Sequence, residues 1–334
     1  MEIGGYRELD LRQGNEYYAG GGAARLNSGR AGIYHALRRY GLNRILIPYY
    51  ECSTVREFLL RQGVEAVYYS VDQELRPLIP GEQIRGDTAV LIVNYFGMLS
   101  REELSGFAAQ YPNLIVDNTQ AFYSAPVKGA YCVYSPRKFF GVPDGSYVLG
   151  KNAAEGLEEY GQDVSGGTAS FLLKRIESGG NNNYPLYLEN EERIQQSGVL
   201  RMSVLTQALL DNVDYAYCAE KRRENFAVAD ALFREINRLP ETLLRDASEW
   251  FVPMVYPLVV EDAGLRVCLK KNSIFVGQWW KYLLAETSES SVEHYYAKYM
   301  IPIQIDQRYS REHLLYTADV VERYLSGKTK EEQV

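Results

Sequence analysis

The tetrapeptide Ser135-Pro136-Arg137-Lys138 has the clearest capacity for covalent chemistry in this sequence. Two enzyme chemistries use a serine three residues before a lysine. One acylates the serine, as in penicillin-recognising enzymes, and the other joins the lysine amine to the aldehyde of pyridoxal phosphate. The first chemistry also needs Ser-Asp-Asn and Lys-Thr-Gly motifs, and the chain contains neither. Lys138 is therefore a candidate nucleophile, although a single lysine is more often a solvated surface cation.

Asp117 is the acid that the second chemistry requires. It ends the apolar segment Leu-Ile-Val-Asp, one predicted strand before Lys138. A pyridoxal ring withdraws electrons only while its ring nitrogen stays protonated, and a buried carboxylate paired with that nitrogen keeps the proton there. The alternative for an aspartate that ends a strand is a turn or capping role. Asp117 and Lys138 together point to cofactor chemistry more strongly than either residue alone.

The segment Asn27-Ser28-Gly29-Arg30 precedes a helical pattern and is a candidate anion site. Free backbone N–H groups and the helix dipole favour a negative charge at such a position. Ser28 is also compatible with a plain N-cap. The chain contains no G-x-x-x-x-G-K-[ST] motif, and the glycines at 20–22 do not lie between a strand and a helix, so the familiar nucleotide-binding loops are absent.

Alternating helix-period and strand-period segments predict the elements that position these residues. From about residue 26 the pattern indicates an α/β fold, a mostly parallel sheet wrapped by helices. The carboxyl ends of its strands carry Asn94, Asp117 and Ser135, where functional groups of such sheets gather. We expect a large domain over 1–200, connecting helices over 201–240, and a smaller α+β domain over 241–334, in which 273–280 forms a strand.

Composition excludes several classes of protein. The chain has 334 residues and a formal net charge of −7, so nucleic acid is not an expected partner. Four cysteines are scattered singly, which predicts a reducing compartment and no structural metal. The amino terminus lacks a signal sequence, and no apolar stretch is long enough to span a membrane. We therefore expect a cytoplasmic protein that binds no membrane.

Five segments, in order along most of the chain, resemble the DegT/DnrJ/StrS aminotransferases, which are pyridoxal-phosphate enzymes of fold type I. They are LNSGRAGI (26–33), ILIPYYECST (45–54), VDNTQAF (116–122), VYSPRKFFGVPDGSYV (133–148) and LRMSVLTQALL (200–210). The third contains the family's D-x-x-Q-A, and the fifth is similar to its R-M-[ST] followed by a helix. The segment IPIQIDQRYSREHL (301–314) also resembles the family's terminal region.

The resemblance implies a role for each matching residue. Lys138 would form the internal aldimine, a Schiff base with pyridoxal phosphate, Asp117 would pair with the ring nitrogen, and Gln120 would lie near the phenolic oxygen. The other implied cofactor-binding residues are Ser28, Gly29, Arg30 and Ser135 for the phosphate, Cys52 or else Tyr49 or Tyr50 over the ring, and Arg201 reaching a neighbouring subunit. Asn94 is a further candidate cofactor-binding residue from its position at a strand end. The chain departs from the family at Val199, where an asparagine is usual.

The resemblance predicts a homodimeric aminotransferase with its active site at the subunit interface. It would move nitrogen from a small-molecule amino donor to a keto or aldehyde acceptor, which could be a nucleotide-linked sugar. Two alternatives stay open. The first is another pyridoxal-phosphate reaction, such as that of a dehydratase or lyase. The second is a catalytically silent relative that uses the fold for binding.

Overall fold

The computed structural model describes residues 3, 5–12, 14–20, 22–244 and 251–331. It contains a large mixed sheet with the strand order β1-β8-β7-β6-β5-β2-β3-β4 and a small antiparallel sheet of β9 and β10. The strands are β1 (Ala24–Leu26), β2 (Arg44–Pro48), β3 (Glu65–Val71), β4 (Pro77–Leu78), β5 (Ala89–Val93), β6 (Leu114–Asn118), β7 (Tyr131–Tyr134), β8 (Ser146–Leu149), β9 (Val255–Val259) and β10 (Met300–Gln304).

Serine side chains cap the starts of two helices, one of them at the predicted position Ser28. Ser28 accepts a hydrogen bond from the Ala31 N–H, and Ser100 with Glu103 forms a capping box. None of the described helices has the length and hydrophobicity needed to cross a bilayer. They are α1 (Gly29–Arg39), α2 (Ser53–Arg61), α3 (Arg101–Gln110), α4 (Ser170–Ser178), α5 (Tyr184–Gln196), α6 (Val204–Leu210), α7 (Tyr215–Phe233), α8 (Leu265–Lys271), α9 (Leu283–Glu286), α10 (Val292–Tyr299) and α11 (Arg311–Glu331).

The centre of the large sheet is parallel, from β3 through β2, β5 and β6 to β7. All five residues of β5 are buried, as expected of a strand covered on both faces. Alternate residues of this strand enter two separate hydrophobic clusters, Leu91 on the face covered by α1 and α2, and Ile92 on the opposite face. The prediction of a mostly parallel sheet wrapped by helices is confirmed.

The predicted strand over 273–280 is wrong. Ser273 and Trp280 have φ angles of +61° and +52°, in the left-handed region, so the segment cannot continue an extended ladder. Several of its apolar residues are half-buried by side-chain packing instead: Trp279 stacks on Phe96 with ring centroids 5.7 Å apart, whereas Phe275 is 53% exposed. A short apolar run does not distinguish these two ways of burying surface. The domain boundaries at 200 and 240 stay a prediction.

Tyrosines, of which the chain has 28 against 3 histidines, anchor loops near the strand ends. The Tyr95 hydroxyl donates to the Tyr50 carbonyl oxygen at 2.6 Å, and the Tyr134 hydroxyl donates to the Ser124 carbonyl oxygen at 3.0 Å. A tyrosine ring fills the core while its hydroxyl supplies the donor that a buried carbonyl needs. This use of tyrosine holds the irregular chain segments around the carboxyl edge of the sheet.

Close packing of α1 on the sheet generates a stability prediction. A Cβ atom at Gly32 would lie 2.7 Å from the Val133 Cγ1 atom, whereas a Cβ atom at Gly106 in α3 meets nothing within 4 Å. We expect Gly32→Ala to lower the free energy of unfolding by about 1–3 kcal/mol through overpacking. Gly106→Ala, the matched helical control, should raise it by about 0.5–1 kcal/mol. Denaturant titration measures both, and equal effects would contradict this packing.

Candidate functional site

A cavity of about 940 Å³ opens at the carboxyl edge of the large sheet. This edge is where parallel α/β sheets bind their ligands, because strand ends and helix starts meet there. Four of the predicted site residues line the cavity: Cys52, Gln120, Ser135 and Lys138. Its other walls come from α4 and α5, from the Trp279–Trp280 pair, and from residues 304–308 after β10. The cavity is therefore lined both by residues predicted to carry the chemistry and by residues from distant parts of the chain.

Thr119 connects the two residues on which the predicted chemistry depends. Its backbone N–H donates to the Asp117 Oδ1 atom at 2.7 Å, and its Oγ1 atom accepts from the Lys138 Nζ atom at 2.9 Å. Asp117 is 2% exposed, while Lys138 is exposed to the cavity. β6 and β7 are parallel neighbours, so the buried acid and the accessible amine come to the same edge. The sequence analysis did not identify Thr119.

The start of α1 approaches the same threonine. A Cβ atom at Gly29 would lie 2.8 Å from the Thr119 Cγ2 atom, so only glycine leaves room for this contact without displacement. Ser28 caps the helix and is 4% exposed. The amino-terminal N–H groups of α1 therefore lie beside the Asp117–Thr119–Lys138 cluster, where the helix dipole favours an anion.

Two arginines add positive charge beside this helix start. Burial, followed by the nearby charges of Arg137 and Arg61, lowers the pKa of Arg30 to about 10. Arg137 forms an ion pair with Glu191 in α5, and an Arg30 Nη2 donor reaches the Ile194 carbonyl oxygen. The Nε atoms of Arg30 and Arg137 are both buried without a hydrogen-bond acceptor among the described residues. Unsatisfied guanidinium donors at a helix start are suited to a phosphate group.

The amide side chains of Gln120 and Asn94 support the loop after β5. Gln120 accepts a hydrogen bond from the Phe96 N–H at 3.0 Å while it lines the cavity. Asn94 donates to the Asn118 Oδ1 atom and accepts from the Leu99 N–H, both at 2.9 Å, so its amide supports the loop after β5. These contacts position the cavity floor and leave the Asn94 side chain turned away from the cavity lining.

Tyr50 and Arg201 also lie away from the cavity of their own chain. Tyr50 is fully buried and packs edge-on against the Trp280 ring, with centroids 4.2 Å apart. Arg201 forms isolated β-bridges with Leu26 and Gln162 through its backbone, and the residue is exposed. Cys52, rather than Tyr50, is the residue of this segment that lines the cavity.

Glu51 is a second site residue that the sequence analysis missed. It is 4% exposed and interacts electrostatically with both Asp117 and Lys138. Burial is the main reason that the pKa of its carboxyl group rises to about 8, and the Asp117 charge raises it further. A glutamate after a strand has no local signal that distinguishes it from a solvated one. Only the folded chain brings it beside Asp117.

Arg222 joins the floor of the cavity to its far wall. It is 1% exposed, and its guanidinium donates to the Met254 carbonyl oxygen at 2.9 Å and the Phe139 carbonyl oxygen at 3.2 Å. The guanidinium carbon also lies 4.5 Å from the Phe139 ring centroid. The residue after Lys138 is thereby tied to the segment that leads into β9, which fixes the lysine turn.

Comparison with solved structures shows that the chain shares its fold with known aminotransferases. No protein-family model matches the chain, and no curated protein matches it. DesV from S. venezuelae, solved with a ketimine intermediate, is 16% identical, and the match covers 90% of this chain and 84% of that one at a TM-score of 0.62. A DegT DnrJ EryC1 StrS aminotransferase from Brucella abortus is 14% identical, with 90% and 85% covered at a TM-score of 0.59.

A third match carries a cofactor. NtdA from Bacillus subtilis, solved with bound PMP, is 13% identical, with 90% of this chain and 73% of that one covered at a TM-score of 0.59. CalS13 from Micromonospora echinospora is described as a sugar aminotransferase, and DesI was solved in the presence of its TDP-sugar product. At these identities the likeness establishes the fold, which agrees with the resemblance inferred from the sequence motifs.

The unsatisfied guanidinium donors predict an anion effect on stability. Inorganic phosphate at about ten times its dissociation constant should raise the melting temperature by about 3 °C, because it binds the folded chain. The Arg137→Gln variant should lose more than half of this shift. Arg85→Gln, an exposed arginine paired with Asp87, is the matched control and should keep it. Equal phosphate shifts in all three proteins, measured by calorimetry, would contradict the site.

Proposed function

We propose that this chain is a pyridoxal-phosphate-dependent aminotransferase. The observation that carries the proposal is the pair of hydrogen bonds that connects Asp117, through Thr119, to the Nζ atom of Lys138, which lines the cavity. A buried acid and an accessible amine at adjacent strand ends are the two groups that this cofactor requires. The shared fold with aminotransferases, one of them solved with PMP, supports the same conclusion.

The residues of the site fit the chemical parts of the cofactor. Asp117 suits the ring nitrogen, because a buried carboxylate holds a proton on it. The α1 start, Ser135 and the orphaned Nε donors of Arg30 and Arg137 suit the phosphate. Cys52 and Gln120 line the space between these two ends. When bound, pyridoxal phosphate supplies an electron sink that allows a C–H bond beside nitrogen to ionise.

The chain's own groups would then perform attachment and proton transfer. Lys138 would hold the cofactor through its Nζ atom until an amino donor displaces it. The freed Nζ atom would take a proton from the carbon that bears the transferred nitrogen, and would later return a proton. The Thr119 hydroxyl would orient the Lys138 amine for both steps, because it already accepts a hydrogen bond from this amine.

The cavity walls support a sugar-like acceptor with an anionic extension. Aromatic rings of Trp279, Trp280 and Tyr184 offer flat surfaces to a sugar or a base, and Arg175 and Arg308 offer donors to phosphate. The likeness to the sugar aminotransferase CalS13, and to DesI solved in the presence of its TDP-sugar product, agrees with this chemistry. The proposed acceptor is therefore a keto or aldehyde sugar, linked to a nucleotide.

A homodimer is part of the proposal. Helices α4 and α5, which line the cavity, leave Leu173, Ile176 and Tyr184 exposed by 62%, 84% and 56%. An exposed apolar patch next to a site favours a protein partner. Arg201 is exposed and lies outside the cavity of its own chain, as expected if it serves a neighbouring subunit.

Loading the protein with cofactor tests the proposed chemistry. Pyridoxal phosphate added to the purified chain should produce the visible absorbance of a lysine-bound cofactor, and borohydride reduction should fix the label on Lys138. Lys138→Ala should lose the band and the label, whereas Lys128→Ala, an exposed lysine outside the cavity lining, should keep both. Glutamate should then convert the bound cofactor to its aminated form.

Other results of the cofactor-loading experiment would indicate one of the two alternative functions. A cofactor that binds but is not aminated by any amino acid, while the substrate loses water or a carbon fragment, indicates a dehydratase or lyase. No band with wild-type protein indicates a silent relative that uses the fold for binding. Either result would overturn the proposed transamination.

Charge placed on α4 tests the proposed dimer. Ile176→Asp should weaken association at least tenfold, because it introduces a carboxylate into an apolar contact. Val267→Asp on α8, also an exposed apolar position at 56%, is the matched control and should leave the dimer intact. Light scattering on a dilution series measures the dissociation constants. A monomeric wild-type protein, or equal effects of the two variants, would contradict the proposed interface.

A further inference from the structure

Two carboxyl groups, neither of which lines the cavity, are buried beside the Thr119–Lys138 pair. Glu51 is 4% exposed and Asp117 is 2% exposed. Glu51 follows β2 and precedes α2, so the chain brings it to Asp117 only through the pairing of β2, β5 and β6. Carboxylates are rarely this deeply buried without a partner.

The contacts of Glu51 leave one of its oxygens unsatisfied. The Cys52 N–H donates to the Glu51 Oε1 atom at 2.5 Å. The Tyr282 hydroxyl donates to the Glu51 carbonyl oxygen, and this second bond holds the backbone of Glu51 in place. The Glu51 Oε2 atom is buried and has no hydrogen-bond donor among the described residues. An orphaned, buried acceptor becomes satisfied if it carries a proton and donates it to another oxygen.

Asp117 is the acceptor in reach. After burial, the Asp117 charge is the largest influence on the Glu51 carboxyl group, and the Lys138 amine also acts on it. The other titratable groups that sense the Glu51 charge are tyrosines of neighbouring elements, whose hydroxyls are neutral: Tyr69, Tyr95 and Tyr282. Two buried carboxyl groups next to one amine share a proton in preference to ionising together.

We propose that Glu51 is a positioning residue that keeps a proton and donates it from its Oε2 atom to the Asp117 carboxylate. The inference rests on the proposed function for its role toward the cofactor. Asp117 is then held from two sides, by the Thr119 N–H on its Oδ1 atom and by the Glu51 hydroxyl, and a remaining lone pair faces the ring nitrogen. Glu51 would thereby fix the orientation of the acid that protonates the ring.

The shared proton sets the net charge that the Glu51–Asp117 pair presents to the ring nitrogen. A single proton on the pair leaves one negative charge, which matches the single positive charge of a protonated ring nitrogen. A hydrogen bond donated to Asp117 also disperses its charge, so the acid holds the ring proton less tightly than an unassisted aspartate. Glu51 therefore tunes the ring nitrogen without contacting it.

Thermal unfolding of the protein without added cofactor tests whether Glu51 keeps its proton. The unfolded chain releases this proton above about pH 4.5, while the folded chain keeps it until about pH 8, because burial raises the pKa of Glu51. The melting temperature of wild type relative to Glu51→Gln should therefore fall steadily between these pH values and level off above them. When both proteins also carry Asp117→Asn, the difference in melting temperature between them should level off at a lower pH. Parallel curves for wild type and Glu51→Gln, or no effect of Asp117→Asn, would overturn the shared proton.

Pyridoxal phosphate binding tests the positioning role. Glu51→Gln retains an N–H donor for Asp117 and should bind the cofactor within about twofold of wild type, since one donor replaces another. Glu51→Leu has no donor and should bind roughly tenfold more weakly, as expected for a lost hydrogen bond to a charged group. In wild type, titration of the Glu51–Asp117 pair should make the absorbance of the bound cofactor depend on pH. This dependence should be absent in Glu51→Gln.

The outcomes separate this inference from the proposed function. Equal weakening in the glutamine and leucine variants would overturn the donor role while cofactor binding itself stands. Absence of cofactor binding in wild type would overturn the proposed function together with the role of Glu51 toward the ring. The pH dependence of the melting temperature, measured without cofactor, would then still show whether the two carboxyl groups share a proton.

Discussion

The hydrogen bonds of Thr119 are the constraint on which the candidate site depends. One residue after β6, this threonine holds the Asp117 carboxylate through its N–H and the Lys138 amine through its hydroxyl. Its methyl group also sets how closely Gly29 and the start of α1 approach. An acid, an amine and an anion-binding helix start therefore share one reference point, and the parallel pairing of β6 with β7 supplies the rigid support.

The site combines buried acidic groups with positive charge. Asp117 and Glu51 are buried carboxyl groups, while Arg30, Arg137 and the α1 dipole contribute positive potential near the same threonine. A ligand that carries both a cationic and an anionic group would complement both kinds of charge. The Glu51 Oε2 atom and the Nε atoms of Arg30 and Arg137 have no hydrogen-bond partner among the described residues, and the proposed shared proton and bound phosphate would each supply one.

Sequence reasoning succeeded where local rules are strong. The long apolar run at β5 and the cap at Ser28 each obey a rule that acts within a few residues, and both elements are where they were predicted. It failed over 273–280, because the packing there includes stacking of Trp279 on Phe96, a residue remote in the chain. Phe96 itself has a φ of +58°, a costly conformation for an aromatic residue, which the Gln120 side chain supports through the Phe96 N–H.

Motifs and periodicity were sufficient to predict the α/β sheet and to place Lys138 and Asp117 near neighbouring strand ends, since strand ends in parallel sheets converge. They were silent on Thr119, Glu51 and Arg137. The roles of these residues arise from contacts between segments 20 to 100 residues apart, as when Glu51 meets Asp117 or when Arg137 reaches Glu191. Such contacts exist only after the strands have paired, because burial and the approach of like charges are properties of the folded chain and of no single segment.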